Sequence, residues 1–410
     1  MRLLRYEFWK LFCKKAVFIC LALFLVINIY KISTLPEREN VTPYAEYYSG
    51  YNAVYDIVKG EMTEEKILFV VENYQELSAL NEQNAFSNNP NENRFTRYDF
   101  GDYIVFMQFF NGMDYAYNYG TNMSGYINLA KENVDFFLER GNEYEASVNQ
   151  KIIDIYGGRG IGAYYDTYGF SEFFEYDFSS LLIILLLLLS LASSFTMESE
   201  SGMDMLIKIS KKGRQHTVMA KIGAFVLFIF LITVLFTAVD FIAFDIKFGL
   251  DGFFNPIYSI ERYFTFTLNL SMLGYVILSM LLKFVAFTVI GLFIMFCSSL
   301  FGSVIYSFGV GTFAVFGLIL ADGTTKMGTS KFLTLLNPLS LLANRYMLDA
   351  YSVVNIFGYP VLKIYIALFA MLIFAAVLIL GIMLAHSRRN IGANKPSLKI
   401  FKFHTGGAVG

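Results

Sequence analysis

The chain of 410 residues has a mean hydropathy of +0.49, with 56% hydrophobic and only 16% charged side chains, too apolar for an ordinary soluble domain of this length. Its net charge of −2 conceals a polarised molecule: residues 36–178 carry 24 acidic against nine basic side chains, and the remainder is basic. Composition therefore places the chain in a membrane and makes its overall charge uninformative.

Residues 1–15, "MRLLRYEFWKLFCKK", read as an amphipathic interfacial helix, with Leu4, Phe8, Leu11 and Phe12 on one face and Arg5, Lys10 and Lys14 elsewhere. The pattern suits an elbow half-buried in the inner interface and a plain membrane anchor equally. Residues 16–35 are the first span, since crossing the hydrocarbon core takes about 20 helical residues. Lys14 and Lys15 ahead of an apolar run would also suit a signal peptide. No small-residue cleavage site follows, and the segment is read as retained.

Residues 36–178 form a domain-sized extracytoplasmic block with 18 Tyr and 13 Phe, enough to bury a core. Thr63 is placed as the N-cap of a helix, with Glu64 and Glu65 in its first turn and Ile67, Val70, Val71 and Tyr74 at helical spacing. The block is expected to be mostly helical. "NNPNEN" is a turn, and "YGGRGIGAYYDTYG" a flexible return to the membrane. The glycines of "GGRGIG" lack the Lys-Ser/Thr of a phosphate loop. The acidic, aromatic surface is either a solvated face over an aromatic core or a site for cationic amphipathic cargo, which aromatic faces and carboxylates would attract.

The second span covers residues 179–197, and 198–217 is a charged cytoplasmic segment. With Ser201 as N-cap, Asp204 falls three residues on, Lys211 and Lys212 lie in the last turn, and Gly213 is the stop. Asp204, Lys208, Lys211 and Lys212 share one sector; Met203, Met205, Leu206, Ile207 and Ile209 spread over the rest. Such a helix either lies on the inner membrane surface or docks its adaptable Met-rich face on a cytoplasmic partner.

Spans three to six follow at 218–244, 268–297, 302–321 and 361–385, with a break at "CSSLFGS" between the fourth and fifth. Residues 245–267 and 322–360 are external loops, and 386–410 a basic cytoplasmic tail. Arg2, Arg5, Lys10, Lys14 and Lys15 before span one, Lys208, Lys211, Lys212 and Arg214 after span two, and the bases after span six mark the cytoplasmic sides. The expected fold is an all-α integral membrane protein with six transmembrane helices, both termini cytoplasmic, and a mostly helical extracytoplasmic domain between helices one and two. Cys13, Cys20 and Cys297 lie in or beside the membrane and cannot staple that domain.

Two charges fall within spans. Lys283 would cost about 2.5–3.5 kcal/mol at mid-membrane, so it faces protein or water, or snorkels outward if span four starts late. Asp240, near the outer end of span three, is a possible partner or an interfacial residue. Asn337-Pro338 should start a short apolar helix with Leu339, Leu341 and Leu342.

The order of these parts, with "ESESG" leading into a short helix and then "KKGRQHTVMAKI", resembles the type 2 ABC transporter permease family. The matching residues are Glu198, Glu200, Gly202, Leu206, Ile207, Arg214 and Lys221, and the resemblance covers about 270 residues, everything but the external block. It implies an exporter permease in the bacterial plasma membrane, paired with a second copy or a paralogous permease and surrounded by membrane lipid. A separate cytoplasmic ABC ATPase subunit would carry the ATP and Mg and seat Glu198, Glu200, Ser201, Met203, Asp204, Leu206, Ile207 and Arg214. Lys283 and Asp240 become candidates for the translocation path, and a hairpin re-entering the membrane is expected around Phe332 to Leu342.

The chain lacks a nucleotide loop, and His216, His386 and His404 all fall in cytoplasmic segments, where their spacing makes no ligand set. No enzyme activity, bound cofactor, metal or nucleic-acid partner is expected of it. The cargo expected is an antimicrobial or other amphipathic peptide, a lipid-like drug or sodium. The other class open is a non-transporting membrane receptor or immunity protein whose external domain captures a cationic peptide.

Overall fold

A computed structural model describes residues 2–36, 49–85, 97–203, 213–326 and 335–388. Among the described residues six helical stretches, 15–33, 168–200, 215–248, 272–300, 304–321 and 363–386, are long and apolar enough to cross a membrane, and the chain is a multi-pass membrane protein on that ground. They are spans one to six below.

An amphipathic helix, α1 (Arg2–Phe12), precedes α2 (Lys15–Ser33), which is span one. The polar block follows as α3 (Ser49–Val58), β1 (Gly60–Glu61), α4 (Glu64–Ala85), α5 (Arg97–Glu139), α6 (Glu143–Tyr156) and β2 (Ala163–Tyr164). Helix α4 begins where Thr63 caps it, its hydroxyl accepting from Lys66 N at 3.4 Å and its carbonyl from Ile67 N at 3.1 Å. Helix α5, about 64 Å long at 1.5 Å per residue, is the spine on which α4 and α6 pack. Tyr51, Tyr55 and Phe109 stack in its core beside Val58, Val70 and Met113.

The return segment is pinned rather than flexible. Arg159 is buried and donates to Phe266 O at 2.6 Å and Thr267 O at 3.1 Å, while its guanidinium lies over Tyr156 and Tyr258. Tyr115, Tyr119 and Tyr156 donate to the carbonyls of Tyr258, Phe264 and Thr265. The block is thus bolted by hydroxyls to the loop between spans three and four, whose backbone carbonyls need partners away from water. Burial pushes the Tyr119 hydroxyl up to about 12, with Arg159 opposing, so it remains a donor across the physiological range.

Span two is segmented: α7 (Tyr168–Glu175), α8 (Phe178–Leu191) and α9 (Thr196–Glu200). Its second break is stabilised from span four, where Ser298 Oγ accepts from Phe195 N and donates to Ala192 O. Helix α10 (Gly213–Phe248) is span three. It exceeds the expected 218–244 at both ends, and the helix that Gly213 is read as stopping lies, from residue 204 on, outside the described residues. Two 3-10 turns, Ile257–Ser259 and Glu261–Tyr263, lead to α11 (Met272–Leu300) and α12 (Val304–Lys326), spans four and five, broken as expected between Cys297 and Ser303.

Asn337 accepts from Leu339 N and opens α13 (Leu339–Leu342), as its sequence suggests; α14 (Arg345–Leu348) follows, and residues 332–334 of the hairpin expected around Phe332 to Leu342 lie outside the described residues. The strands β3 (Val353–Ile356) and β4 (Tyr359–Leu362) form an antiparallel pair inside what reads as a loop, turned at Phe357 and Gly358 with positive φ. Span six, α15 (Lys363–Arg388), begins two residues later than expected. Beside this pair and β1–β2, the described residues are mostly helical.

Helix α11 touches α8, α10, α12, α13 and α15 and is the hub of the bundle. Span two lies deepest, with 72% of its apolar window buried against 17% for spans one, five and six, whose apolar faces look outward. A close approach fixes α7 on the end of α10: a Cβ on Gly169 would sit 2.5 Å from Gly249 O, a backbone atom with no room to move. Gly169→Ala is therefore expected to destabilise the protein by about 1–3 kcal/mol, read as a lower thermal midpoint in detergent, whereas Gly125→Ala, with open space around it, should not.

Candidate functional site

Four charges meet at the bundle end remote from the block. Lys221, early in α10, is fully buried; its Nζ donates to Ser194 O at 2.5 Å and lies 2.9 Å from Glu198 Oε1 and 3.9 Å from Glu7 Oε2. Lys10 on α1 pairs with the same Glu198 oxygen and lies 4.0 Å from Glu7. Two carboxylates and two ammonium groups cancel, which is how charge tolerates such burial. Burial pushes the Glu7 carboxyl up, with Lys221 and Lys10 holding it partly down. Phe12 stacks on Phe228 at 3.9 Å and Phe8 meets both, so the apolar face of α1 is seated on span three, as the amphipathic pattern suggests.

The residues singled out by sequence fall around this cluster. Glu198 is its centre. Glu200 reaches the other way, accepting from Val304 N at 3.0 Å, so a carboxylate caps the positive N-terminus of span five. Ser201 closes the preceding helix, its Oγ donating to Glu198 O at 3.2 Å; the amide it was expected to cap, at 204, is outside the described residues. Met203 is half exposed, and Gly202 turns the chain at φ +70°. Asp204, Leu206 and Ile207 lie outside the described residues, as does the side chain of Arg214, whose backbone belongs to α10.

The other two candidates meet in the bundle. Asp240 and Lys283 line one cavity of about 30 Å³ together with Tyr176, Ser179, Thr237 and Ser279. That is room for one or two waters and not for cargo. Lys283 turns into the bundle instead of snorkelling outward, within electrostatic reach of Asp177 and Asp240. Asp240 Oδ1 accepts from Asn28 Nδ2 at 2.5 Å, and Tyr176 OH donates to Asn28 Oδ1 at 2.8 Å, tying spans one, two and three. Asp240 is buried within the bundle.

Toward the block, Asn344 donates to Ser279 Oγ and accepts from Tyr275 OH, and Arg345 makes a bidentate pair with Asp177 at 2.7 and 3.0 Å. Its Nε lies 3.1 Å from Glu175, which Arg262 also meets at 2.9 Å. Burial would lower the Arg345 pKa, but Asp177 outweighs it and holds the guanidinium charged. Glu7, Lys10, Asn28, Asp177 and Arg345 escaped the sequence reading as site residues. The one available signal was Asn28 alone in an apolar run.

No family model matches the chain, nor does any curated protein or any solved structure.

The cluster gives an asymmetric expectation. Glu198→Gln leaves Lys221 and Lys10 short of their shared partner and should cost about 3–5 kcal/mol in stability. Glu7→Gln removes the carboxyl that burial raises and should be neutral or stabilising at pH 8. Because that raised pKa means the folded chain binds the proton more tightly, the wild type should gain stability as pH falls through the raised value toward the ordinary one. The benefit of Glu7→Gln should shrink over the same window, as thermal unfolding at pH 8 and pH 5 would reveal.

Proposed function

We propose that this chain is the membrane permease subunit of an ABC exporter, moving an amphipathic substrate outward with ATP hydrolysed by a separate cytoplasmic subunit. In this reading the block 36–178 faces outward, the four-charge cluster faces the cytoplasm, and the plasma membrane of a bacterium surrounds the spans. The observation that carries it is the fastening of residues 196–203. Glu198 binds this segment to α1 through Lys10 and to span three through Lys221, while Glu200 holds span five.

A force applied to the chain immediately after Met203 is therefore delivered to three elements at once. That is the mechanical requirement for coupling a cytoplasmic motor to membrane helices, because buried, paired charges transmit displacement through short, stiff contacts. The second permease, an identical copy or a paralogue, has an outward-looking apolar surface available on α12, where Ile305 is 80% and Phe313 82% exposed. The cavity at Asp240 and Lys283 is too small for a peptide, so these residues act as a polar hinge that must separate before a path opens.

The direct test is purification from the native host with its neighbours intact. An ATPase subunit should co-purify, and Leu206→Glu combined with Ile207→Glu should release it. Absence of any ATPase, or its retention by the double variant, would leave a receptor as the surviving class. Separately, Lys283→Met should reduce export from vesicles by about tenfold with little change in thermal midpoint; unaltered export would remove Lys283 from the moving parts.

A further inference from the structure

Where the block meets the loop between spans three and four there is a cavity of about 270 Å³, separate from the intramembrane one. One wall is a single face of α5, with Asn111 and Tyr115 one turn apart; the second is the return segment, with Tyr165 and Asp166; the third is the 3-10 region, with Ser259 and Glu261. Its size falls just below the roughly 300–1,000 Å³ of pockets that take drug-sized ligands, and suits one long side chain.

The chemistry of the lining is one-sided. Asp166 and Glu261 contribute carboxylates, and no lysine or arginine is among the described residues that line the cavity. The Asp166 carboxylate is aimed by Tyr51 OH at 2.5 Å and Tyr168 N at 3.0 Å. The Tyr115 ring is held by its hydroxyl, which donates to Tyr258 O at 2.8 Å. Burial first, then Tyr119 and Glu261, push that hydroxyl up and keep it neutral. The base of the Tyr165 ring sits close on Gly252, where a Cβ would come within 2.7 Å of Cγ, and Tyr164 sits on Gly112 at 2.8 Å by the same measure. Both rings are thus fixed by glycines that only just admit them. Ser259 lines the same wall, its Oγ buried without a hydrogen-bond partner.

We infer that this cavity binds one ammonium or guanidinium side chain of a cationic peptide, between the Tyr115 and Tyr165 rings and against Glu261, Asp166 and Ser259. The inference deepens the exporter reading, resting on the block as its cargo-facing part, and names the cargo class as peptides with an accessible lysine or arginine. Aromatic faces attract such cations, and preset carboxylates attract them without reorganisation. The apolar body of the peptide would remain outside, free to engage the membrane.

The test uses the purified full-length chain in lipid nanodiscs, with acetyl-Gly-Arg-Gly-amide as the probe and the citrulline analogue, equal in shape but uncharged, as its control. Binding followed by saturation-transfer NMR should favour the arginine peptide by about tenfold, the equivalent of ~1.4 kcal/mol. Glu261→Gln, an exposed substitution, should erase most of that preference, while Glu132→Gln, exposed on the same α5, should preserve it. Equal binding of the two peptides, or equal losses from the two variants, overturns the site and leaves only diffuse surface charge. Neither ATP nor an ATPase is present, so this outcome is independent of the co-purification test: a chain that holds an ATPase but ignores the arginine peptide fails here alone.

Discussion

A fully buried lysine ammonium in an apolar bundle is stable only if its charge is answered on the spot, and Lys221 imposes that condition on everything around it. Glu198 answers it at 2.9 Å, which requires span two to break before Thr196 so that α9 can turn its carboxylate inward. The break in turn requires the Ser298 hydroxyl from span four to serve the backbone at Ala192 and Phe195. Lys10 and Glu7 complete the set, and to reach it α1 must lie along span three, where Phe8 and Phe12 then find Phe228. One desolvation constraint thereby sets the placement of four elements.

The opposite end is governed by the same rule with different groups. Arg345 enters from α14 and fastens to Asp177 and Glu175, at the point where span two is interrupted between α7 and α8. Tyrosine hydroxyls and Arg159 join the block to carbonyls of the loop before span four, so block and bundle are tied through that loop. Between the two ends lies the small polar cavity of Asp240 and Lys283. Both charged ends clamp span two, and the middle holds a cavity with room for a water or two.

The membrane helices were legible in the sequence because an apolar run of this length has few alternatives, and their limits agree to within a few residues except at span two, which begins at Tyr168, eleven residues before the expected 179. There the interruptions at Tyr176 and at Ala192 are tertiary features, held by Arg345 on Asp177 and by Ser298 on the backbone at Ala192 and Phe195. Thr63 and Asn337 were read correctly because capping is a local event, decided within four residues. The return segment was misread because glycine content speaks only of what the backbone can do. The Arg159 contacts that pin it come from residues more than a hundred positions away. Glu198 and Lys221 could be singled out through their motif, yet nothing local assigns Lys10 to the same oxygen across 188 residues.

By itself the sequence determined that this chain is a multi-pass membrane protein with one large acidic aromatic block, because hydropathy and charge are sums over neighbours and need no fold to be added up. Only the tertiary structure decided which charges answer which: that Lys283 faces Asp240 across a cavity, that Glu200 caps span five, and that Tyr115, Asp166 and Glu261 converge on one space. Pairing inside an apolar medium is a condition on distance and desolvation, and those quantities exist only once the helices have been brought together.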